Sequence, residues 1–192
     1  MSEAILRTRR WSRVEYESMI EKAVFRPDER LELLGGDLVV REPQGGPHAL
    51  AVERTAKALL TAFEATWRIR VQLPIALDED SEPEPDVSVV AGPLEVAPPE
   101  LPSQAVLVVE VADTSLAFDR GRKGNLYARA RLPEYWIVNL VDRVLEVCRE
   151  PAPDAGAPYG WAYRTVLTLG PDDHVTPLAA PSAHILVADF LP

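Results

Sequence analysis

The stretch "AVLVVEVAD", beginning at Ala105, is apolar without a break until Glu110, and it constrains the chain more than any other segment. A strand without polar alternation must be covered on both faces, so it belongs in the middle of a sheet with other elements packed on either side. The pleat still separates Val106, Val108 and Glu110 from Leu107, Val109 and Val111. A carboxylate removed from water without a partner either neutralises or recruits a cation. Glu110 therefore needs a partner, and its place near the strand's end lets a site open to solvent.

Two other segments offer that partner. "EPEPDVSVV" leaves a proline-rich acidic loop and enters a strand at Asp86, a second acid if the two strands are neighbours. Residues 120–131 read as a helix on which Lys123 shares a face with Leu126, Tyr127 and Ala130, so its ammonium points to the core side. A plain salt bridge between Glu110 and Lys123 over a strand end accounts for that pair alone. Three converging groups favour chemistry. Asp86, Glu110 and a strand carbonyl, that of Val111, are the hard oxygen ligands that Mg²⁺ accepts while it also binds a phosphate. A nearby Lys123 would orient or help deprotonate the attacking water, or stabilise charge on the phosphoryl oxygens.

The rest of the chain supplies helices and strands for an α/β or α+β sheet with helices packed on it. Ser12 and Glu15 form a capping box that starts a helix over 12–23. "RLELLGGDLVVRE" is a hairpin turning at Gly35-Gly36-Asp37, with Glu32 on its first strand. Val52, Ala56, Leu59, Leu60 and Phe63 recur at helical spacing after "PQGGPH". Strands follow at "WRIRVQL", "PIAL" and 86–90, then a proline-rich loop over 91–104. Beyond the helix over 120–131 lie the pair "EYWIVNL" and "RVLEVCRE" and the strand-like pieces "WAYRTVLTL", "HVTPL" and "HILVADF". With 192 residues, 47% of them hydrophobic, and no long linker, the expectation is one domain over 1–192 in which 1–11 can be flexible.

Charge and cysteine content narrow the function classes. A net charge of −10 excludes coating nucleic acid by bulk electrostatics, so any phosphate site must be local. Two basic clusters, Arg7, Arg9, Arg10 and Arg13, and Arg120, Arg122, Lys123, Arg129 and Arg131, are either such a site or solvated faces. Arg122 and Arg129 mark a more exposed stripe than Lys123. The single Cys148 and the lack of a signal peptide or an apolar run of membrane length fit a cytoplasmic protein that spans no membrane.

The segments "LELLGGDLVV", "EPEPDVSVV", "LVVEVADTS" and "DRGRKGNLYARARLPEYWIV", in that order, resemble the Uma-two family of bacterial restriction endonucleases over residues 12–192. The resemblance implies the PD-(D/E)XK nuclease superfamily: a restriction-endonuclease-like mixed β-sheet flanked by helices, here with an N-terminal helix and β-hairpin, and a site for Mg²⁺ or Mn²⁺. It implies a metal-dependent endonuclease acting on nucleic acid, DNA first, and often a homodimer. Pro85-Asp86 matches the PD element and Glu110 the acid of the second element. Ala112 stands where the usual lysine would be, which assigns that role to Lys123 on the next helix. Glu32 matches an upstream acid used as an additional metal ligand or organiser. The rivals are a non-catalytic binding module on the same fold and a hydrolase of another phosphate ester.

The remaining polar residues have bland explanations. His48 reads as an exposed helix-start histidine ahead of a phosphate contact, Asp119 as a helix N-cap, Tyr127 as a packing aromatic and Asp113 as a surface turn residue. His174 and His184 lack companion ligand spacing, and Ser88 and Ser115 lack the setting of a serine nucleophile.

Overall fold

The computed structural model describes residues 8–41, 43–92 and 100–192. Arg7 of the first basic cluster, most of the segment expected to be flexible and part of the proline-rich loop lie outside them. Helix α1 (Arg13–Glu21) starts as its capping box dictates, with Ser12 accepting from the Glu15 N–H and Glu15 bonding back to the Ser12 backbone. Strands β1 (Leu31–Leu34) and β2 (Asp37–Val40) form the hairpin, with Gly35 at φ 59° and Gly36 at φ 83°. Both central residues of this turn need positive φ, which glycine adopts without steric cost.

Helix α2 (Gly46–Ala62) precedes β3 (Trp67–Val71), β4 (Val87–Ala91) and the central β5 (Leu107–Ala112). A composite helix follows: α3 (Leu116–Phe118), a π turn over Asp119–Lys123, and α4 (Gly124–Arg129). It leads to β6 (Glu134–Asn139), β7 (Val144–Pro153) and β8 (Trp161–Leu169). A short pair, β9 (His174–Val175) and β10 (Ile185–Leu186), ends in a 3₁₀ turn at Val187–Asp189. The main sheet has the order β3-β4-β5-β6-β7-β8, with β5 and β6 parallel and the other neighbours antiparallel.

Every residue of β5 is buried, as its unbroken apolar run requires. Leu107, Val109 and Val111 pack with Trp136, with Leu59 of α2 and Phe63 just past its end, and with Phe190 of the C-terminal tail. Val108 and Ala112 lie on the opposite face against Leu126 and Tyr127 of α4 and Leu34 of the hairpin. Glu110 therefore sits on the α4 side, and Ala112 is part of the core on that side.

Two elements differ from expectation. "PIAL" is no strand, because Ile75, Ala76 and Leu77 donate to Pro83 O, Pro102 O and Ser81 O, so these apolar side chains are core plugs on irregular backbone. The helix expected over 120–131 begins at Leu116, four residues early, and contains the π turn. Arg122 and Arg129 are more exposed than Lys123, as expected, yet both are tied to the chain: Arg122 bonds Leu34 O, Asp37 and Tyr159, and Arg129 bonds Asp78, Asp80 and Ser81. Of the described members of the first cluster, Arg10 reaches Gly35 O and Arg13 pairs with Glu17, while Arg9 pairs with Glu15 at the exposed surface. No helix among the described residues is long and apolar enough to cross a membrane.

Candidate active site

Antiparallel pairing of β4 with β5 sets the start of β4 beside the end of β5, so Asp86 lies next to Glu110 and Val111. Asp86 Oδ2 accepts the Val111 N–H at 2.9 Å. In a β-ladder the N–H and C=O of one residue point the same way. Ala112 O turns to the opposite neighbour and accepts from Leu140 N, so the Val111 carbonyl faces the Asp86 side. The hairpin closes the site from above and brings Glu32, whose Oε1 is fixed by the Glu84 N–H at 2.9 Å.

Lys123 comes from the end of the π turn. Its Nζ lies 2.9 Å from Glu110 Oε1 and 3.4 Å from Glu32 Oε2, in a cluster that is almost wholly buried. The expected residues Glu32, Asp86, Glu110, Val111 and Lys123 all line one cavity of about 480 Å³. The helix thus delivers its lysine to the acid that the strand position Ala112 leaves without one.

Four further residues join them. Tyr127 O–H donates to Glu110 Oε1 at 2.6 Å, so it is a site residue as well as a core aromatic. Asp119 is no cap: it lies inside the helix, buried on the cavity wall, and accepts from Ser115 Oγ at 2.6 Å. His48 is not exposed but 5% accessible, with Nε2 3.1 Å from Asp86 Oδ2. That contact is close but poorly aligned for a hydrogen bond, and neither ring nitrogen has a well-formed partner among the described residues. Arg41, just past β2, faces Glu84, Asp86 and Glu32. Asp113 is exposed on the rim, as a turn residue should be.

Acids outnumber cations here, and proton affinities follow. Burial pushes Glu110 up to about 8; Lys123 opposes this, while Asp86, Asp119 and Glu32 add to it. Burial likewise raises Asp119 to about 6 against the pull of Lys123 and Ser115. For Asp86 burial is outweighed by His48, the Val111 N–H and Lys123, which hold it below the usual carboxylate range. Burial would strip the proton from Lys123, but Glu110, Glu32 and Asp119 outweigh it and the ammonium is retained.

The donor set suits a hard divalent cation. Glu110 Oε1 is occupied by Lys123 and Tyr127, whereas no described residue donates to Oε2. With Asp86 and the Val111 carbonyl this gives carboxylate and carbonyl oxygen only, the hard donors that such an ion prefers. Among the described residues no three His, Cys, Asp or Glu side chains cluster tightly enough to hold an ion alone. An ion bound here would thus keep coordination positions for water or a phosphate.

A family model named Uma2 and described as "Putative restriction endonuclease" matches residues 13–187. No curated protein matches the chain. Among solved structures, the fold resembles that of "a putative nuclease belonging to DUF820" from Anabaena variabilis ATCC 29413, with a TM-score of 0.63 at 13% sequence identity. That likeness covers 90% of this chain and 96% of the other.

Proposed function

Because this chain belongs to the Uma2 family, matched over residues 13–187, we propose that it is a divalent-metal-dependent endonuclease cleaving phosphodiester bonds of nucleic acid, DNA in the first instance. The observation that carries the reading is the 2.9 Å approach of Lys123 Nζ to Glu110 Oε1, although the strand position two residues beyond Glu110 is an alanine. Asp86, Glu110 and the Val111 carbonyl would hold Mg²⁺ or Mn²⁺, with Glu32 as support. The ion would supply Lewis acidity toward the phosphoryl oxygens and lower the pKa of a bound water.

The chain's own groups do the rest. Lys123 keeps its proton, so Nζ acts as a donor: it orients the attacking water or offsets charge growing on the phosphoryl oxygens in a site shielded from bulk solvent. Tyr127 and Glu32 hold Glu110 and Lys123 in place from the core side and the hairpin side. His48 faces Asp86 from the start of α2 and limits how that carboxylate can turn.

One observation favours a second reading. Both Asp86 oxygens already face protein donors, Val111 N–H on Oδ2 and Arg41 and Gln72 on Oδ1, as in a scaffold that binds without turnover. Cleavage of single- and double-stranded DNA in Mg²⁺ or Mn²⁺ separates the two, comparing wild type with Asp86→Asn and Lys123→Ala. Metal-dependent cutting lost in both variants supports the nuclease. Cutting retained in Asp86→Asn refutes the assignment, and salt-sensitive DNA binding with no cutting favours the scaffold.

A further inference from the structure

Arg41 carries a charge that the reading above leaves unused. Its backbone N–H extends the hairpin ladder to Arg30 O at 2.8 Å, which fixes the residue at the cavity mouth. Its guanidinium lies 3.1 Å from Glu84, 3.4 Å from Asp86 Oδ1 and 3.7 Å from Glu32, while the side chain is only 8% accessible. A firm guanidinium–carboxylate bond is about 2.7–2.9 Å long. The Glu84 contact approaches that, and the two inner contacts are loose. Glu84 is also the most exposed of the three acids, so the guanidinium is held at its outer end and leans inward.

The two oxygens of Asp86 differ in the same way. Oδ2 is fixed by the Val111 backbone and backed by His48, whereas both partners of Oδ1, Arg41 at 3.4 Å and Gln72 at 3.3 Å, are long. An ion held by Asp86 and Glu110 would share that oxygen with a positive side chain, and like charges on one oxygen repel. We propose that Arg41 is a displaceable counter-ion: it neutralises Asp86 and Glu32 when no divalent cation is bound and yields Asp86 to the cation when one arrives. This rests on the metal site proposed above.

Glu84 is the pivot of the exchange, since its contact with Arg41 is the shortest and does not involve the ion. On the outer side lies a second hollow of about 690 Å³. It shares Val40, Arg41, Pro43 and Gln44 with the first. A guanidinium released from Asp86 turns its fork toward that shared wall. There it can meet a phosphate of a bound strand in the two-pronged manner that a lysine cannot reproduce. Metal loading and phosphate capture are then linked through one side chain.

The test is calorimetric titration with Mn²⁺ alone, at pH 8, of wild type, Arg41→Met and Arg41→Lys. The expected result is Mn²⁺ binding about tenfold tighter in Arg41→Met, since one competing charge is gone, with Arg41→Lys close to wild type. Equal or weaker binding in a folded Arg41→Met overturns the proposal. If that variant does not fold, the wild type decides by NMR of the Arg41 Nε–H, assigned by its loss in Arg41→Lys. Mg²⁺ should speed its exchange with solvent, and an unchanged signal in saturating Mg²⁺ overturns the proposal. A wild type that binds no Mn²⁺ refutes the metal site itself, whereas binding indifferent to Arg41 refutes only the exchange.

Discussion

Replacing Lys123 by Met, in chelator so that no added metal contributes, should produce a stability loss that grows with pH. Lys123 Nζ serves Glu110 at 2.9 Å and Glu32 at 3.4 Å, both buried. Removing it leaves Glu32 with the Glu84 N–H and a distant Arg41, and leaves Glu110 with the Tyr127 hydroxyl. Breaking a buried ion pair from one side costs about 3–5 kcal/mol, and because Glu110 still largely holds its proton at pH 7, a loss of about 2–3 kcal/mol is expected there. The pH dependence comes from Glu110, whose folded pKa of about 8 lies above its ordinary 4.5. A raised folded pKa gives stability that is present below the unfolded value and lost as pH rises through the folded one. In the wild type that loss slows through pH 8 and levels off above it. Without Lys123 the folded pKa of Glu110 rises further, so the loss continues, and the gap between the proteins should widen above pH 8, by at most about 1.4 kcal/mol per pH unit. Urea unfolding followed by tryptophan fluorescence at pH 7, 8 and 9 measures this, because Trp136 is fully buried. The double variant Lys123→Met/Glu110→Gln should not widen. Parallel stability curves, or a loss below about 1 kcal/mol at pH 7, would refute the argument that this ammonium compensates buried charge.

Gly35→Ala places a methyl group at φ 59°, about 2.5 Å from the Tyr159 ring, and should cost about 1–3 kcal/mol in urea unfolding; a neutral result would mean the hairpin turn rearranges freely. Glu82 is raised to about 7 by burial and then by the neighbouring Glu17, so its stabilising share is lost as pH rises from its ordinary 4.5 through 7. Glu82→Gln should be more stable than wild type at pH 8 and flatter between pH 5 and 7, as thermal melts would read; an unchanged pH profile would show that Glu82 titrates normally. Gly124→Ala brings a Cβ to 3.1 Å from Asp119 O and should lower stability by about 1–2 kcal/mol. A stabilised variant would show that the π turn relaxes into regular helix.

Much of the site was legible because each acid stood where local rules forbid it. Glu110 broke an apolar run, Asp86 opened a strand after prolines, and Lys123 fell on the face of Leu126 and Tyr127. The hairpin and the α1 cap could be read for the same reason, since their signals lie within a few adjacent residues. His48 and Arg41 could not. Each is a single polar residue at the end of an ordinary element, and its burial comes from chain distant in sequence, Asp86 for one and Glu32, Glu84 and Asp86 for the other. An exposed reading of His48 is the default for the first turn of a helix, and only the Asp86 loop folding over it makes it wrong. "PIAL" misled because apolar residues suggest a strand equally whether their backbone pairs in a ladder or, as here, with Pro83, Pro102 and Ser81. The Asp119 role was hidden by the π turn, which periodicity at 3.6 residues does not reveal.

That π turn sets two rotational phases within one helix. The phase of α4 is fixed by Leu126 and Tyr127 in the core, and Lys123 inherits it. The phase of the first turn is set apart by the extra residue, whose long closure from Gly124 N–H to Asp119 O replaces the usual one. Deleting one residue such as Gly121 would return the helix to a single phase and swing Asp119 by about 100° while Lys123 stayed with its anchor. The pocket's fourth acid and its lysine, four positions apart in the chain, are therefore separable by a change of length alone, with no side chain altered at either position.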